Sequence, residues 1–354
     1  MNDNNTEAEK SLGVKITIGL LLGTITFIVI FGNVLVLLSP FFSRNLLKKP
    51  TYIFLISLAI ADLLLGLLVL PFSSIITVTG TWFFGPVVCN LYVSSDVCFS
   101  TSSILHLLVI TLDRYYAAAS PFHYKTRMKQ NCALLIVIVV WFVSVMISFP
   151  PIHTGLNTDD GIIQSYDDRS TCILETNKIY SLVDGIGLFF IPLIIIFVLY
   201  VHLILIVRKK GAVASKNSYK ERRLVITIAV VLSGFAICWV PYFTIFTVGE
   251  LFRWEPNPVV ADVVLWLGYV NSSINPIIYG LLNQKFRDAF RKMLCLTCNR
   301  NEASSTYSMS RTSYYTTHEQ TASRSKKGSK TKNGCTLPKK HLYEEAISSS
   351  PTKV

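Results

Sequence analysis

The sequence predicts an all-α membrane protein, a seven-transmembrane helix bundle with a short amphipathic eighth helix. Hydrophobic residues make up 51% of the 354 residues and charged residues only 15%, whereas a soluble domain carries about 25% charged residues. Apolar runs of about 20 residues, long enough to cross roughly 30 Å of hydrocarbon as helices, recur along the chain. This pattern excludes an ordinary soluble enzyme. The seven runs lie near residues 14–40, 50–74, 86–118, 130–151, 180–208, 221–248 and 259–281.

The distribution of charge predicts how the bundle is oriented. The formal net charge is +12, but basic residues such as Lys49 and Arg127 are concentrated in alternate loops, whereas the intervening loops carry acidic residues such as Asp159 and Glu250. By the positive-inside rule, the N-terminus is extracellular and the C-terminus cytoplasmic. The pattern indicates no folded basic surface, so nucleic acid is not an expected partner.

The segments outside the bundle differ in composition. Phe286, Phe290 and Leu294 share one helical face opposite several basic residues, which is typical of a helix lying on membrane lipids. The C-terminal tail is rich in Ser, Thr and Lys and has too few apolar residues to fold. The predicted segments are an extracellular N-terminus at 1–13, the bundle at 14–281, an amphipathic surface helix with a palmitoylation region at 282–298, and a disordered cytoplasmic tail at 299–354.

Several covalent features are predicted outside the membrane. Cys89 at the outer end of span three and Cys172 in the long extracellular loop both lie on the oxidising side, which favours a disulfide between them. Asn4 begins an N-glycosylation sequence. Cys295 and Cys298 directly follow the surface helix, which favours palmitoylation over two unmodified thiols.

Among the charged residues of the predicted spans, four lie where they matter most for function: Asp62, Asp96, Arg114 and Asp184. A charge within hydrocarbon is costly, so each is a candidate functional residue. On span three, one helix face is formed by residues that recur every three or four positions, namely Asp96, Ser100, Ser103, Leu107, Ile110 and Arg114. This stripe extends over about 27 Å and connects an outer acidic site to an inner basic one.

The outer site suits a protonated amine. A carboxylate at Asp96 would bind an ammonium group through a charge-assisted hydrogen bond that the low local dielectric strengthens. Aromatic faces also attract ammonium groups, although ordinary helix packing is the alternative for any single ring. The aromatic candidates are Trp239, Tyr242, Phe243, Phe246, Trp266 and Tyr269.

The inner site predicts a latch. Asp113, Arg114 and Tyr115 close span three, and Glu221 at the start of span six offers Arg114 a second carboxylate. An arginine held by two carboxylates on different helices would form a bistable contact whose release lets the helix ends separate. A simple interfacial ion pair is the alternative.

Across nearly all of residues 14–294, the chain resembles the rhodopsin-like (class A) G-protein-coupled receptors. Within that class, Asp96 and the aromatic candidates look like the biogenic-amine branch, and residues 63–73, 152–155 and 183–185 are similar to histamine type-2 receptors. The resemblance is carried by Gly32-Asn33, the L-A-I-A-D run ending at Asp62, Asp113-Arg114-Tyr115, Trp141, Pro192 with Tyr200, C-W-V-P at 238–241 and N-P-I-I-Y at 275–279.

The resemblance implies a plasma-membrane receptor that is not an enzyme, needs no cofactor, binds a small amine agonist and signals through a heterotrimeric G protein, the stimulatory, cAMP-raising one being preferred. It implies ligand-binding roles for Asp96, Ser100, Asp184 and the six aromatic candidates. The resemblance also implies a G-protein switch that comprises Asp113, Arg114, Tyr115, Tyr200, Glu221, Asn275, Pro276 and Tyr279. An interior polar cluster that holds an allosteric sodium ion, or only water, comprises Asn33, Asp62, Ser103, Asn271, Ser272 and Asn275.

The identity of the amine rests on two residues. A second pocket carboxylate at Asp184 favours a ligand with a second donor or charge, as in histamine. Leu188 stands where the histamine type-2 receptors have a threonine, which removes a hydroxyl. Trace amines, octopamine and serotonin are therefore retained as alternatives.

The tail implies further partners. Its serines and threonines would serve a receptor kinase, and the added phosphates would bind a basic surface of an arrestin. Thr352-Lys353-Val354 has the pattern that a PDZ domain accepts.

An ion-coupled membrane transporter is the alternative of another class, because intramembrane aspartates also mark ion pathways. That alternative predicts repeat symmetry, and the sequence has no internal repeat.

Overall fold

A computed structural model of the chain shows a bundle of long helices. The structure describes residues 3–43, 46–161, 163, 172–211, 216–254 and 256–294. Within these ranges, only the backbone is described at 3–11, 210–211, 216–225 and 227–228.

The regular structure of the described residues is entirely helical, which confirms the predicted fold class. A π-helical segment, Leu182–Phe190, joins α7 to α8. The helices are α1 Asp3–Phe42, α2 Pro50–Leu68, α3 Leu70–Thr79, α4 Gly85–Ala119, α5 Pro121–Arg127, α6 Gln130–Thr154, α7 Lys178–Ser181, α8 Ile191–Gly211, α9 Lys216–Phe252, α10 Pro258–Leu282 and α11 Gln284–Leu294.

The exterior of the bundle is apolar. Large side chains such as Phe27, Ile138 and Phe197 are more than 60% exposed although they lie in the middle of long helices. An apolar surface of this kind is the expected boundary with lipid. Within the described residues, six helical stretches are long and apolar enough to span a membrane: Leu12–Phe42, Pro50–Thr79, Gly85–Ala119, Gln130–Thr154, Lys178–Lys209 and Ala229–Phe252.

Helix α10 is less apolar than these six. Its buried face carries Asn271, Ser272, Ser273 and Asn275, which lower the hydropathy of the whole segment. The helix nevertheless packs against α1 and α9 as part of the bundle. The polar side chains therefore face the protein interior, where they can be hydrogen-bonded.

Helix α4 lies at the centre, where it packs against α2, α6 and α8. A buried histidine connects three of these helices. His106 Nε2 lies 2.7 Å from Ser57 Oγ on α2, Trp141 Nε1 on α6 donates to the same oxygen at 3.0 Å, and His106 Nδ1 lies 2.7 Å from the Ser102 carbonyl. His106 is thus a hydrogen-bonded packing residue.

The boundaries of two elements differ from the sequence prediction. Helix α1 begins at Asp3, whereas its apolar span begins at Leu12, close to the predicted start at residue 14. The span predicted at 50–74 is divided at Val69 between α2 and α3, where Pro71 cannot donate a backbone hydrogen bond.

The amphipathic helix is present as α11. Phe286 is buried against Tyr52 and Tyr279, with ring centroids 5.7 and 5.4 Å apart, and Phe290 packs beside it. Leu294, predicted on the same face, is 61% exposed, whereas Met293 is buried. The helix therefore packs the face that carries Phe286, Ala289 and Met293 against the bundle, and Leu294 lies outside that face.

Helices α9 and α10 approach closely at Gly268. A Cβ atom there would lie 2.7 Å from Cε3 of the buried Trp239 ring. We expect Gly268→Ala to lower the free energy of unfolding by about 1–3 kcal/mol, because overpacking forces the ring or the backbone to move. Thermal unfolding of the purified protein in detergent measures this. Gly23→Ala is the control, since a Cβ there meets no heavy atom within 4 Å; equal midpoints for the two variants would contradict the close approach.

Candidate functional site

A cavity of about 240 Å³ opens at one end of the bundle. Cys89 at the start of α4 is joined to Cys172 by a disulfide, as predicted, with the Cα atoms 5.8 Å apart. We call this end of the bundle the disulfide end. The bond joins Cys172 to α4, and Cys172, Ile173 and Leu174 line the cavity.

One wall of the cavity carries Asp96. Tyr269 on α10 donates a hydrogen bond from its hydroxyl to Asp96 Oδ2 at 2.8 Å. The other oxygen, Oδ1, is buried without a hydrogen-bond partner among the described residues. Ser100, one turn along α4, also lines the cavity, and its hydroxyl is likewise buried and unpartnered within the described part of the chain. These oxygens are available to a polar ligand.

A second carboxylate lines the same cavity. Asp184 belongs to the π-helical segment, lines the same cavity and is 6% exposed. No cationic side chain is among the described residues that line this cavity. Two carboxylates in a desolvated space without a protein cation create a strongly negative potential.

Aromatic rings from α9 form much of the opposite wall, at Trp239, Tyr242, Phe243 and Phe246. The Tyr242 and Phe246 rings stack with centroids 5.8 Å apart, and Phe243 stacks on Phe189 at 4.0 Å. Packing of this kind holds the rings in defined orientations. An aromatic wall facing carboxylates is suited to a cation with apolar surface.

The structure brings most of the predicted ligand residues together. Trp266 and Tyr269 are not among the described residues that line the cavity. Tyr269 contacts Asp96 through its hydroxyl, and Trp266 donates from Nε1 to Thr77 Oγ1 at 3.0 Å. Tyr92 and Asp262 also line the cavity and were not predicted. Tyr92 lies four residues before Asp96, so its position on the same face of α4 could have been read from the helical period.

The predicted polar cluster surrounds Asp62 in the middle of the bundle. Asp62 Oδ1 accepts hydrogen bonds from Ser272 Oγ at 2.8 Å and Ser103 Oγ at 3.5 Å, and Oδ2 accepts one from Asn275 Nδ2 at 2.8 Å. Asn33 Nδ2 donates to the Ser272 carbonyl at 3.1 Å. The cluster thereby connects α1, α2, α4 and α10.

The residues of this cluster fit a sodium ion. The side-chain oxygens of Asn33, Asn271 and Asn275 are buried and without hydrogen-bond partners among the described residues. Together with the Asp62 carboxylate they supply the oxygen ligands that a hard cation prefers.

The opposite end of α4 carries the predicted latch, and we call it the Arg114 end. Arg114 Nη2 lies 2.5 Å from Asp113 Oδ2 and also contacts Thr51 Oγ1 on α2. Thr51 donates to Asp113 Oδ2 at 2.7 Å, and the Tyr124 hydroxyl on α5 donates to Asp113 Oδ1 at 2.7 Å. Burial and the Asp113 carboxylate raise the pKa of Tyr124, so its hydroxyl keeps the proton that it donates.

The observed partners of Arg114 differ from the predicted pair of carboxylates. Asp113 is one of them, but Thr51 and Tyr124 supply the other contacts. Thr51 lies on α2 and Tyr124 on α5, so neither belongs to the helix that carries the Asp113-Arg114-Tyr115 motif, and the sequence offered no signal for them. The second predicted partner, Glu221, is among the residues whose side chains lie outside the description.

The remaining predicted switch residues occupy the same half of the bundle. Tyr279 is buried against Phe286, and Tyr115 and Tyr200 are half-buried. Pro276 lies at the crossing of α10 with α1, where a Cβ on Gly32 would come within 2.9 Å of it. Outside the described side chains lie Asn4, Cys295, Cys298 and Thr352-Lys353-Val354.

The described helices form an apolar bundle with a cavity at one end and an arginine network at the other, which is the architecture of a helical membrane protein with a ligand cavity. Residues 32–279 match the model of the 7 transmembrane receptor (rhodopsin family). The chain is 40% identical over 290 residues to the histamine H2 receptor of Rattus norvegicus, over 80% of each chain. It is 39% identical over 299 residues to that of Homo sapiens, over 82% of this chain and 83% of the relative. It is 30% identical to the alpha-1A adrenergic receptor of Mus musculus in an alignment 360 positions long, which covers 90% of this chain and 75% of the relative.

The chain therefore belongs to the rhodopsin family of seven-transmembrane receptors, in the branch that contains these histamine and adrenergic receptors. Membership makes α10 the seventh span. It also decides between the two predicted classes in favour of a receptor over an ion-coupled transporter, and confirms that the chain is not an enzyme.

We expect Tyr124→Phe to loosen α5, because the substitution removes the hydroxyl that connects this helix to Asp113. Loss of one hydrogen bond to a carboxylate, about 1.5–3 kcal/mol, should speed amide hydrogen exchange in α5 about tenfold or more. Mass spectrometry of exchange over residues 121–127 measures this. Thr126→Ala is the control, since that hydroxyl bonds only within α5, to the His123 carbonyl. Unchanged exchange in Tyr124→Phe would show that the network does not hold α5.

Proposed function

We propose that the protein is a receptor for a small protonated amine and that Asp96 is the counter-ion of the ligand. The observation that carries this proposal is the state of the Asp96 carboxylate: it lies in a desolvated cavity with an unpartnered oxygen, it accepts one hydrogen bond from Tyr269, and no cation lies among the described lining residues. An ammonium group would supply the missing charge. The aromatic wall would pack against the rest of the ligand.

The finer identity of the ligand rests on Asp184. Its carboxylate faces the same cavity, so a ligand with a second donor or charge would satisfy both acids. The relatives named as histamine receptors favour a histamine-like amine. Leu188 is half-buried in the same π-helical segment and offers no hydroxyl, which keeps trace amines, octopamine and serotonin as alternatives.

The proposed orientation follows the charges and the disulfide. The disulfide end faces the exterior of the plasma membrane and receives the amine, and the Arg114 end faces the cytoplasm and binds a heterotrimeric G protein, preferably the stimulatory one that raises cAMP. The same proposal includes glycosylation at Asn4 and palmitoylation at Cys295 and Cys298. It also includes binding of a receptor kinase, arrestin and a PDZ protein by the tail.

The proposed mechanism is a shift between two states of the bundle. In the closed state, Asp113, Thr51 and Tyr124 hold Arg114, which keeps the helix ends together. A ligand favours the open state only to the extent that it binds that state more tightly. A sodium ion at Asp62 would neutralise the buried carboxylate and so stabilise the state in which its oxygen ligands converge.

Asp96→Asn tests the binding site, because it removes the charge and keeps the shape and an acceptor for Tyr269. We expect amine potency to fall more than about a hundredfold, the scale of a broken buried ion pair. The measurement is cAMP in cells that express the chain, challenged with histamine, tyramine, octopamine, dopamine and serotonin.

Asp288→Asn is the matched control, since Asp288 is an exposed acid on α11, and surface expression is measured for both variants. A response lost in Asp96→Asn and kept in the control supports the site. Unchanged potency in Asp96→Asn at normal surface expression would refute it. A response to histamine alone would support the histamine-like ligand, and a response to another amine alone would exclude it.

A further inference from the structure

A third carboxylate lines the cavity above the two already described. Asp262 on α10 is exposed at the rim and lines the same cavity as Asp96. It lies seven residues, two helical turns, before Tyr269, so the two residues share one face of α10. The Tyr269 hydroxyl contacts Asp96. Measured along α10, Asp262 therefore lies about 10 Å nearer the disulfide end than Asp96 does.

The cavity continues outward into a second space of about 600 Å³. The two spaces share wall residues Ile173, Leu174 and Phe246, and the outer one is also lined by Glu175 and Glu250. An elongated ligand in the inner cavity therefore has room to extend toward the disulfide end.

The charges along this path are unbalanced. The only cationic side chain among the described residues lining either space is Arg253, and its Nη2 atom is 3.1 Å from Asp159 Oδ2, so it is already paired. Asp184 is 6% exposed and makes no hydrogen bond or ion pair with another described residue. Unpaired carboxylates from the bottom of the cavity to its rim create a field that draws in extended cations.

We propose that Asp262 forms a second cation subsite, so that linear diamines and oligoamines reaching from Asp96 to the rim bind more tightly than monoamines of equal length. This inference rests on the proposed amine site at Asp96 and concerns the far end of the ligand. An extended alkyl chain advances about 1.25 Å per bond, given C–C bonds near 1.52 Å, so about eight bonds cover 10 Å. Octanediamine has the required reach and ethylenediamine does not.

The experiment measures dissociation constants of octanediamine, octylamine and ethylenediamine for the purified full-length protein in detergent, from the ligand-dependent shift of its unfolding temperature. Octylamine controls for the apolar chain, and ethylenediamine controls for the number of charges. We expect octanediamine to bind about fivefold more tightly than octylamine, the factor of a partly exposed ion pair. High salt should reduce this advantage, because the outer pair is exposed to solvent.

Asp262→Asn should remove the advantage of octanediamine and leave octylamine binding unchanged, whereas Asp262→Glu should retain it. Asp288→Asn should leave both ligands unaffected, since Asp288 lies on α11 at the opposite end of the bundle. An octanediamine advantage that persists in Asp262→Asn, or no advantage in the unaltered protein, would overturn the subsite.

The Asp96→Asn variant separates the two proposals. If octylamine binds the unaltered protein and is lost in Asp96→Asn, the amine site stands whatever the result at Asp262. If no amine binds the unaltered protein, both proposals fail.

Discussion

Charged and polar side chains inside this bundle must be satisfied by the protein itself, because the surrounding hydrocarbon offers no hydrogen bonds. The buried carboxylates meet this constraint to different degrees. Asp113 is fully engaged by Arg114, Thr51 and Tyr124, and Asp62 accepts three side-chain hydrogen bonds. Asp96 has a single hydrogen-bond partner among the described residues, so the unsatisfied charge is concentrated at the disulfide end, where a cavity admits a ligand.

Helix α4 connects these environments. It carries Asp96 at one end, Ser103 beside the Asp62 cluster in the middle, and Asp113 with Arg114 at the other end. Helix α4 packs against α2, α6 and α8 at once. A displacement of α4 at the cavity would therefore also move the helices that hold the arginine network. A packed bundle with discrete hydrogen-bonded arrangements favours a two-state response over a graded one.

The features that follow from local chain geometry could be predicted. Apolar length located the spans, helical period placed Asp96, Ser100 and Arg114 on one face, and the positions of Cys89 and Cys172 indicated their disulfide. Contacts between distant helices could not be predicted in the same way. Thr51 is an ordinary residue of α2 until the packing of α2 on α4 brings it to Arg114, and Trp266 lies behind the cavity wall because its ring turns toward Thr77.

Length, hydropathy and helical period are local properties of the chain, so they were sufficient to predict a helical membrane bundle with an acidic site near one end and a basic site near the other. Which carboxylates are satisfied depends on contacts between helices. Asp62 and Asp184 are both intramembrane aspartates in the sequence, yet one is enclosed by hydroxyl and amide donors and the other faces a cavity. That difference depends on how the helices pack around each side chain, and the pattern of a single helix does not contain it.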